Sequence, residues 1–232
     1  MSSVSRHQRR FPALCLFVVV LFLLAGGGVR APCVQAADHI KIGLLEEPKT
    51  LNVWLGTDTW SRKVIGLMYY PLYIHDENME LIPWLAESMP VFDEASLTYT
   101  VKLREAHWSD GTPFTGEDVA FTVKVIKDFK DRSDYKWEFV KEVEVVDDRT
   151  VRFHLEEPMA IFRERTLTTP IVQKKQWAPI AEEASKTENP LAALRNYQIE
   201  RPVGTGPFVL EEWKKGAYVF MKTNEHFFGK GL

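Results

Sequence analysis

The stretch spanning residues 97–123 constrains the fold most, because it predicts a strand, a turn and a helix in direct succession. Apolar and polar side chains alternate in its first eight residues, which is the period of a strand with one buried face. The tripeptide Ser-Asp-Gly at 109–111 follows with turn chemistry, since Asp can bond its own backbone and Gly tolerates a positive φ. Thr115 can then cap a helix whose first turn carries Glu117 and Asp118, and carboxylates are favoured at that end of the helix dipole. The stretch alone therefore predicts an α/β or α+β domain.

The composition is that of an ordinary globular chain, with 45% hydrophobic and 26% charged residues among 232. This length supports one or two compact lobes. Four of the 29 basic residues and none of the 32 acidic ones precede residue 37, so the remainder holds 25 basic against 32 acidic residues, a net charge of −7. Such a chain lacks the clustered Lys and Arg that a phosphate backbone requires. We therefore expect neither nucleic acid nor an anionic membrane surface as its main partner.

Residues 1–36 have the three parts of an export signal. Arginines open the segment, an apolar run occupies residues 11–25, and Val-Gln-Ala at 34–36 offers a cleavage site. A permanent membrane helix is the alternative, but the apolar run is shorter than the roughly 18 to 20 residues that span a bilayer. We therefore predict a cleaved signal peptide and a periplasmic protein.

The remaining sequence carries no recognisable catalytic or metal-binding motif. Both cysteines, Cys15 and Cys33, fall within the predicted signal, so the cleaved chain would have neither a disulfide nor a thiolate metal site. The histidines form no His-x-x-x-His pair, and adjacent acids would point in different directions on a regular element. The glycines at 204 and 206 precede Pro207 and a strand pattern rather than the helix that a phosphate loop needs. We expect no cofactor, no metal and no catalytic residue.

Local patterns outside the first stretch predict further elements. The apolar run that begins at His39 is strand-like. A helix capped by Thr59 or Ser61 should follow it. Hairpins are predicted within residues 72–85 and 143–158, and an irregular surface excursion is predicted around Pro190.

Two longer signatures resemble a known protein family. The segment 86–123, with Lys-Leu-Arg at 102–104, Trp-Ser-Asp-Gly-Thr-Pro at 108–113 and Glu-Asp-Val at 117–119, resembles the signature of the family 5 extracellular solute-binding proteins. These proteins are the peptide-binding group of ABC importers. A second signature, Val-Gly-Thr-Gly-Pro-Phe at 203–208, leads into a strand, a turn and a second strand as in the same family. The resemblance covers nearly all of the chain after the predicted signal.

The resemblance implies an α/β (mixed α+β) fold, a lobe like that of type II periplasmic binding proteins with mixed β-sheets flanked by helices. The implied division is a signal peptide at 1–36, the first segment of the lobe I core at 37–70, an inserted subdomain at 71–198 and the return segment of the core at 199–232. We expect the chain to stop before the second lobe, which in this family closes over the ligand.

The resemblance also places a ligand cleft beside the loop that precedes the first predicted helix. The candidate ligand-binding residues are Thr57, Asp58, Thr59, Trp60, Tyr135 and Trp137. The alternative for the loop is a solvated polar turn with one anchoring Trp. The alternative for the two later aromatic residues is packing, which is the more frequent role of such side chains.

These features together imply the periplasmic solute-binding component of an ABC importer, a non-enzyme. It would capture peptides or similar small solutes for a permease in the inner membrane, and we expect it to be a monomer. Domain closure over the solute would signal the loaded state. The alternatives are a secreted non-catalytic interaction module, a non-functional gene fragment or, least favoured, a secreted hydrolase. Stabilisation by solutes would be absent in the first two and peptide turnover would reveal the third.

Overall fold

The computed structural model describes residues 40–159 and 161–229. The chain divides into two compact units, of which the first contributes only residues 40–43 to the described part. Those four residues are exposed and form neither helix nor strand. The predicted signal peptide and both cysteines lie outside the described residues. In the described ranges, no helix is long and apolar enough to cross a bilayer.

The second unit combines helices with antiparallel strands. Its helices are α1 (Thr59–Met68), α2 (Gly116–Asp128), α3 (Lys174–Ser185) and α4 (Pro190–Asn196), with a 3-10 turn at Asp134–Lys136 and a π turn at Phe162–Thr166. Its strands are β1 (Tyr73–His75), β2 (Leu81–Pro83), β3 (Val91–Asp93), β4 (Thr98–Lys102), β5 (Val140–Asp147), β6 (Thr150–Leu155), β7 (Phe208–Lys214) and β8 (Tyr218–Thr223). This content confirms the mixed α+β class, and all strand pairs in the described residues are antiparallel.

The four-stranded sheet β3-β4-β6-β5 contains the strand that the alternating pattern predicts. Its buried face pairs Val101 with Val151 and Tyr99 with Phe153 across β4 and β6. Helix α2 packs against β5 and β6 and begins at the predicted N-cap, Thr115. The buried positions of α2 recur at helical spacing, so the local pattern and the packing agree.

A buried carboxylate joins this sheet–helix unit to the first residue of α3. Asp118 is 5% exposed, and its Oδ2 accepts from Trp108 Nε1 at 3.0 Å and from the Thr115 backbone at 3.1 Å. Its Oδ1 accepts from the Lys174 backbone at 2.8 Å. Burial raises the pKa of the Asp118 carboxyl above its ordinary value, although the hydrogen bonds from Lys174, Thr115 and Trp108 oppose the increase. One side chain therefore fixes the turn, the helix start and a segment more than fifty residues away.

The exposed turn before α2 holds a second carboxylate, that of Asp110. Its pKa predicts how the stability of the folded protein depends on pH. Burial would raise the pKa of Asp110, but hydrogen bonds from Thr112, Lys175 and Gln173 outweigh it and hold that pKa at about 2, below its ordinary 3.8. The folded state thus binds fewer protons than the unfolded state between these values. Solvent screens this exposed carboxylate, so we expect no more than about 1 kcal/mol of stability from it above pH 4, lost as the pH falls from about 4 to 2.

Urea unfolding measured from pH 7 to pH 2 tests this expectation. Asp110→Asn should lower stability at pH 7 and should flatten the loss between pH 4 and 2. Asp148→Asn is the matched control, since the side chain of Asp148 is exposed and makes no hydrogen bond or ion pair within the described residues. Equal acid sensitivity of Asp110→Asn and the unaltered protein would contradict the assignment.

The segment before β7 crosses the end of α1 at very short range. The Gly206 backbone N–H donates to the Met68 carbonyl at 2.7 Å, and the Gly204 carbonyl accepts from the Ser109 backbone at 2.9 Å. A Cβ added at Gly204 would lie 1.9 Å from the Met68 carbonyl oxygen. The two glycines therefore allow the backbone at 204–206 to contact both the end of α1 and the turn 108–113.

Three local predictions need correction. Helix α1 is capped by Asp58, whose side chain accepts from the Ser61 backbone at 2.9 Å, and not by Thr59 or Ser61. Pro190 begins a helix instead of breaking one, because it occupies the first turn and Asn189 caps it. Residues 40–52 form no strand, and Ile40 is 88% exposed.

The buried apolar side chains of the described residues form one cluster, which runs from Leu51 in the first segment to Leu194 in α4. This core crosses the predicted boundary at residue 70. The division into core segments and an inserted subdomain remains a prediction.

Candidate functional site

The loop 56–60, whose last two residues are the first two of α1, carries four of the predicted ligand-binding residues and is held in place by a buried asparagine. Asn52 is 2% exposed, and its Nδ2 donates to the carbonyls of Leu194 and Tyr197, both at 3.0 Å. Its Oδ1 accepts from the Trp54 backbone at 2.8 Å, and its carbonyl accepts from the Gly56 backbone at 2.9 Å. The loop is therefore anchored to the end of α4.

The N-terminus of α1 uses the side chain of Asp58 internally. Its carboxylate accepts from the Ser61 backbone, while Ser61 Oγ accepts from the backbones of Lys49 and Thr50 at 2.9 and 3.1 Å. Slight burial would raise the pKa of Asp58, but the hydrogen bonds from Ser61 hold it below its ordinary value. Asp58 is thus an ionised helix cap, which shapes the loop.

Three side chains of the loop face outward. Thr57 and Thr59 are exposed, and Trp60 is partly exposed. Lys63 Nζ lies 4.7 Å from the centroid of the Trp60 ring, a cation–π contact that covers part of the indole. Two hydroxyls and one indole are therefore available to a ligand at this end of the helix.

An arginine connects the loop to the segment 131–137, which carries the other two predicted residues. Arg132 Nη2 donates to the Gly56 carbonyl at 3.1 Å. Its neighbour Asp131 is 4% exposed and accepts from Arg195 Nη2 at 2.9 Å and Nε at 3.2 Å. The ion pair fixes the segment on α4, and Arg132 then reaches the loop.

One carboxylate and two guanidinium groups act on the charge of Arg132. Partial burial is the main reason that the pKa of Arg132 lies below its ordinary value. The Asp131 carboxylate raises this pKa, and the neighbouring charges of Arg195 and Arg62 lower it. Arg62 stands in the first turn of α1, and its side chain has no hydrogen-bond or ion-pair partner within the described residues.

Tyr135 and Trp137 occupy different environments. Tyr135 is 59% exposed on the 3-10 turn, whereas Trp137 is 1% exposed and packs against Phe153 at 6.1 Å between ring centroids. The indole of Trp137 is enclosed in the core and does not reach the surface that carries the loop. The structure therefore brings Thr57, Asp58, Thr59 and Trp60 together and links them through Arg132 to the segment of Tyr135.

Sequence reasoning did not identify the arginines of this site. Arg132 and Arg62 lie 70 positions apart in the chain, and no local pattern relates them. The charged stretch around Arg132 predicts an exposed loop between two elements, because charged connecting segments usually lie on the surface. The only available signal was that Arg132 stands three residues before Tyr135.

Two cavities of the described residues lie away from this loop. One of about 500 Å³ lies between α2 and β5, and another of about 400 Å³ lies beside the turn that holds Thr112. Neither is lined by the loop 56–60. Within the described ranges, no group of His, Cys, Asp or Glu side chains is placed to hold a metal ion.

The sequence of this chain is similar to those of known solute-binding proteins. Residues 80–232 match the sequence profile of the bacterial extracellular solute-binding proteins, family 5 (middle). Protein XP55 from Streptomyces lividans is 31% identical over 97% of this chain, and the oligopeptide-binding protein AppA from Bacillus subtilis is 29% identical over 92%. The chain spans about 40% of the length of these curated relatives.

Solved structures show the same fold. The structure of AppA from Bacillus subtilis, in complex with a nonapeptide, superposes with a TM-score of 0.68 and 30% identity. The superposition covers 78% of this chain and 35% of AppA. The described residues thus have the fold of part of one lobe of a type II periplasmic binding protein.

Proposed function

Because this chain belongs to the bacterial extracellular solute-binding proteins of family 5, we propose that it captures a peptide or similar small solute and delivers it to an ABC permease. The surface formed by the loop 56–60 and Arg132 supports this proposal most directly. This surface combines the hydroxyls of two exposed threonines, the indole of Trp60 and the remaining guanidinium donors of Arg132. Such polar and aromatic groups can bind a polar ligand. The working location is the periplasm, reached by the N-terminal signal.

Each predicted residue has a distinct part in this proposal. Thr57 and Thr59 offer hydroxyls to the solute, while Trp60 and Tyr135 offer aromatic faces. Asp58 acts indirectly, since its carboxylate is committed to the cap of α1. Trp137 does not contact the solute. Its buried indole packs in the core and anchors the segment that carries Tyr135.

The proposal involves binding and release and no chemical step. The chain acts as a monomer, and its relatives are longer than the part matched here. We propose that a second lobe closes over the solute and that closure creates the surface that the permease recognises. A lone lobe should bind weakly, because much of the contact surface and water exclusion would come from the other side.

Solute-dependent stabilisation tests the proposed function. A mixture of tri- to pentapeptides at millimolar concentration should raise the melting temperature, because a ligand selective for the folded state stabilises it by about 1.4 kcal/mol at ten times its Kd. Trp60→Ala should abolish most of this shift without unfolding the protein, since Trp60 lies outside the buried core.

Phe220→Ala is the matched control, because Phe220 is also an exposed aromatic residue, at 50%, but belongs to β8 and not to the loop 56–60. It should keep the full peptide-dependent shift. A protein that no peptide mixture stabilises would instead support the secreted interaction module. Hydrolysis of the peptides would contradict the non-catalytic assignment.

A further inference from the structure

Helix α4 is bonded to both parts of the candidate site, and its first contact is with the loop 56–60. Asn52 is 2% exposed, and its Nδ2 donates to the carbonyls of Leu194 and Tyr197, both at 3.0 Å. The last carbonyls of a helix have no partner within the helix, so the Asn52 amide caps the end of α4. The carbonyl of Asn52 accepts from the Gly56 backbone at 2.9 Å, and the loop therefore starts from this cap.

The segment 131–137 is bonded to the same end of α4. Arg195 stands in the last turn of the helix, and its Nη2 and Nε donate to Asp131 Oδ1 at 2.9 and 3.2 Å. Asp131 is 4% exposed, and its Oδ2 accepts from the Ser133 backbone at 3.2 Å. One buried carboxylate therefore holds the helix with one oxygen and shapes the start of the segment with the other.

A direct hydrogen bond also joins the loop to the segment. Arg132 Nη2 donates to the Gly56 carbonyl at 3.1 Å, in a partly buried position. The loop, the segment and α4 lie far apart in the chain, yet each is bonded to the other two. Without either contact to α4, the spacing of the loop and the segment would depend on the Arg132–Gly56 hydrogen bond and on apolar packing.

We propose that Asn52 and Arg195 are positioning residues, which set through α4 the spacing between the loop 56–60 and the segment 131–137 that the solute requires. The inference rests on the proposed function and specifies how its site is held ready. Asn52 is buried and Arg195 acts through Asp131, so neither has to touch the solute. A surface that is ordered before binding loses less entropy when the ligand arrives. If only about a tenth of the folded molecules had the correct spacing, the apparent Kd would be about ten times higher.

Peptide binding by folded variants tests this role. The probe is the mixture of tri- to pentapeptides, titrated well below the melting temperature and followed by tryptophan fluorescence. Asn52→Ala and Arg195→Gln should each raise the peptide concentration at half saturation roughly tenfold, although circular dichroism shows both to be folded. Arg195→Lys can keep one charge-assisted hydrogen bond to Asp131 and should recover part of the affinity.

The double variant separates positioning from independent weakening. If α4 sets one spacing, the loss of either contact already releases it. Asn52→Ala combined with Arg195→Gln should then bind about as weakly as the weaker single variant. Independent effects would multiply to roughly 100-fold, and that result would overturn the shared role of α4.

Thr122→Val is the matched control. Thr122 is fully buried, and its Oγ1 accepts from the Val172 backbone at 3.1 Å and donates to the Asp118 carbonyl at 2.7 Å, so its loss also removes buried hydrogen bonds. These contacts join α2 to the segment before α3 and involve neither the loop nor α4. This variant should lose stability and keep the peptide affinity of the unaltered protein. An equal loss of affinity here would assign the effect to general destabilisation and overturn the inference.

The possible failures are distinguishable. Unchanged affinity in Asn52→Ala and Arg195→Gln, with binding by the unaltered protein, would overturn the positioning role and leave the proposed function in place. An unaltered protein that binds no peptide would overturn the proposed function together with the inference. The side chain of Arg195 is 25% exposed, so Arg195→Gln and Arg195→Lys decide the test alone if Asn52→Ala does not fold.

Discussion

Replacing Gly206 by alanine should lower the free energy of unfolding by about 3 kcal/mol, a large fraction of a small domain's stability. A Cβ at this position would lie 2.3 Å from the Leu67 carbonyl oxygen and 2.8 Å from the carbonyl carbons of Leu67 and Met68. These are backbone atoms at the end of α1 and cannot turn aside as a side chain can. The backbones cannot separate without losing the Gly206–Met68 hydrogen bond of 2.7 Å.

The control substitution lies on the same helix. Gly66 is an exposed position of α1 where an added Cβ meets nothing within 4 Å. Gly66→Ala should raise stability by up to about 1 kcal/mol, since alanine favours a helix interior over glycine. Urea unfolding followed by far-UV circular dichroism measures both variants. A Gly206→Ala protein as stable as the unaltered protein would show that the two segments are not in contact.

This junction also matters for the site. Helix α1 begins at the loop 56–60 and ends against Gly204 and Gly206, and Gly204 in turn bonds to Ser109 of the turn 108–113. Partial loss of the junction would free the far end of α1 and so disturb the loop at its beginning. A destabilised Gly206→Ala protein should therefore bind peptide less well than its folded fraction predicts.

The elements that the sequence predicts correctly are those with local causes. The alternation at 97–103 becomes β4, the capped helix begins at Thr115, and both predicted hairpins form. Each depends on side-chain periodicity or turn chemistry within a few residues. The start of α1 is displaced by one residue because Asp58, Thr59 and Ser61 are all good N-caps, and only the hydrogen bond to Ser61 selects among them.

Errors arise where the outcome depends on distant partners. The apolar run after residue 39 does not become a strand, since no strand of the described residues pairs with it. Pro190 was predicted to interrupt the chain, but Asn189 turns it into the start of α4. The local sequence pattern does not show whether a strand partner is present or whether Asn189 caps a helix.

The candidate site shows the same limit. The loop residues were identifiable through a family resemblance, but the arginine that meets them lies 76 positions beyond Gly56. Tyr135 and Trp137 differ in burial although they stand two residues apart in a short turn, where no periodicity distinguishes the inner face. The exposed arginines offered no signal because a single charged side chain is normally solvated.

Removing the buried carboxylate of Asp118 is the second large effect that we expect. Asp118→Ala should cost about 3 kcal/mol or more, because it leaves the indole N–H of Trp108 and the backbone N–H groups of Thr115 and Lys174 without their acceptor. Trp108 is fully buried, so water cannot replace the lost partner without opening the core. The loss should appear in urea unfolding and as a weakened near-UV circular dichroism signal of tryptophan.

Glu117→Gln provides the matched control for this prediction. Glu117 is the neighbouring residue of α2, and its exposed carboxylate pairs with Lys174 Nζ at 2.8 Å. An exposed pair of this kind contributes less than about 1 kcal/mol, so the control separates the loss of a charge from the loss of a buried acceptor. Asp118→Asn, which keeps one oxygen but places an amide N–H₂ against the donors, should be intermediate. Equal stability of the Asp118 and Glu117 variants would mean that the turn, the helix start and α3 are held together by apolar packing instead of by this carboxylate.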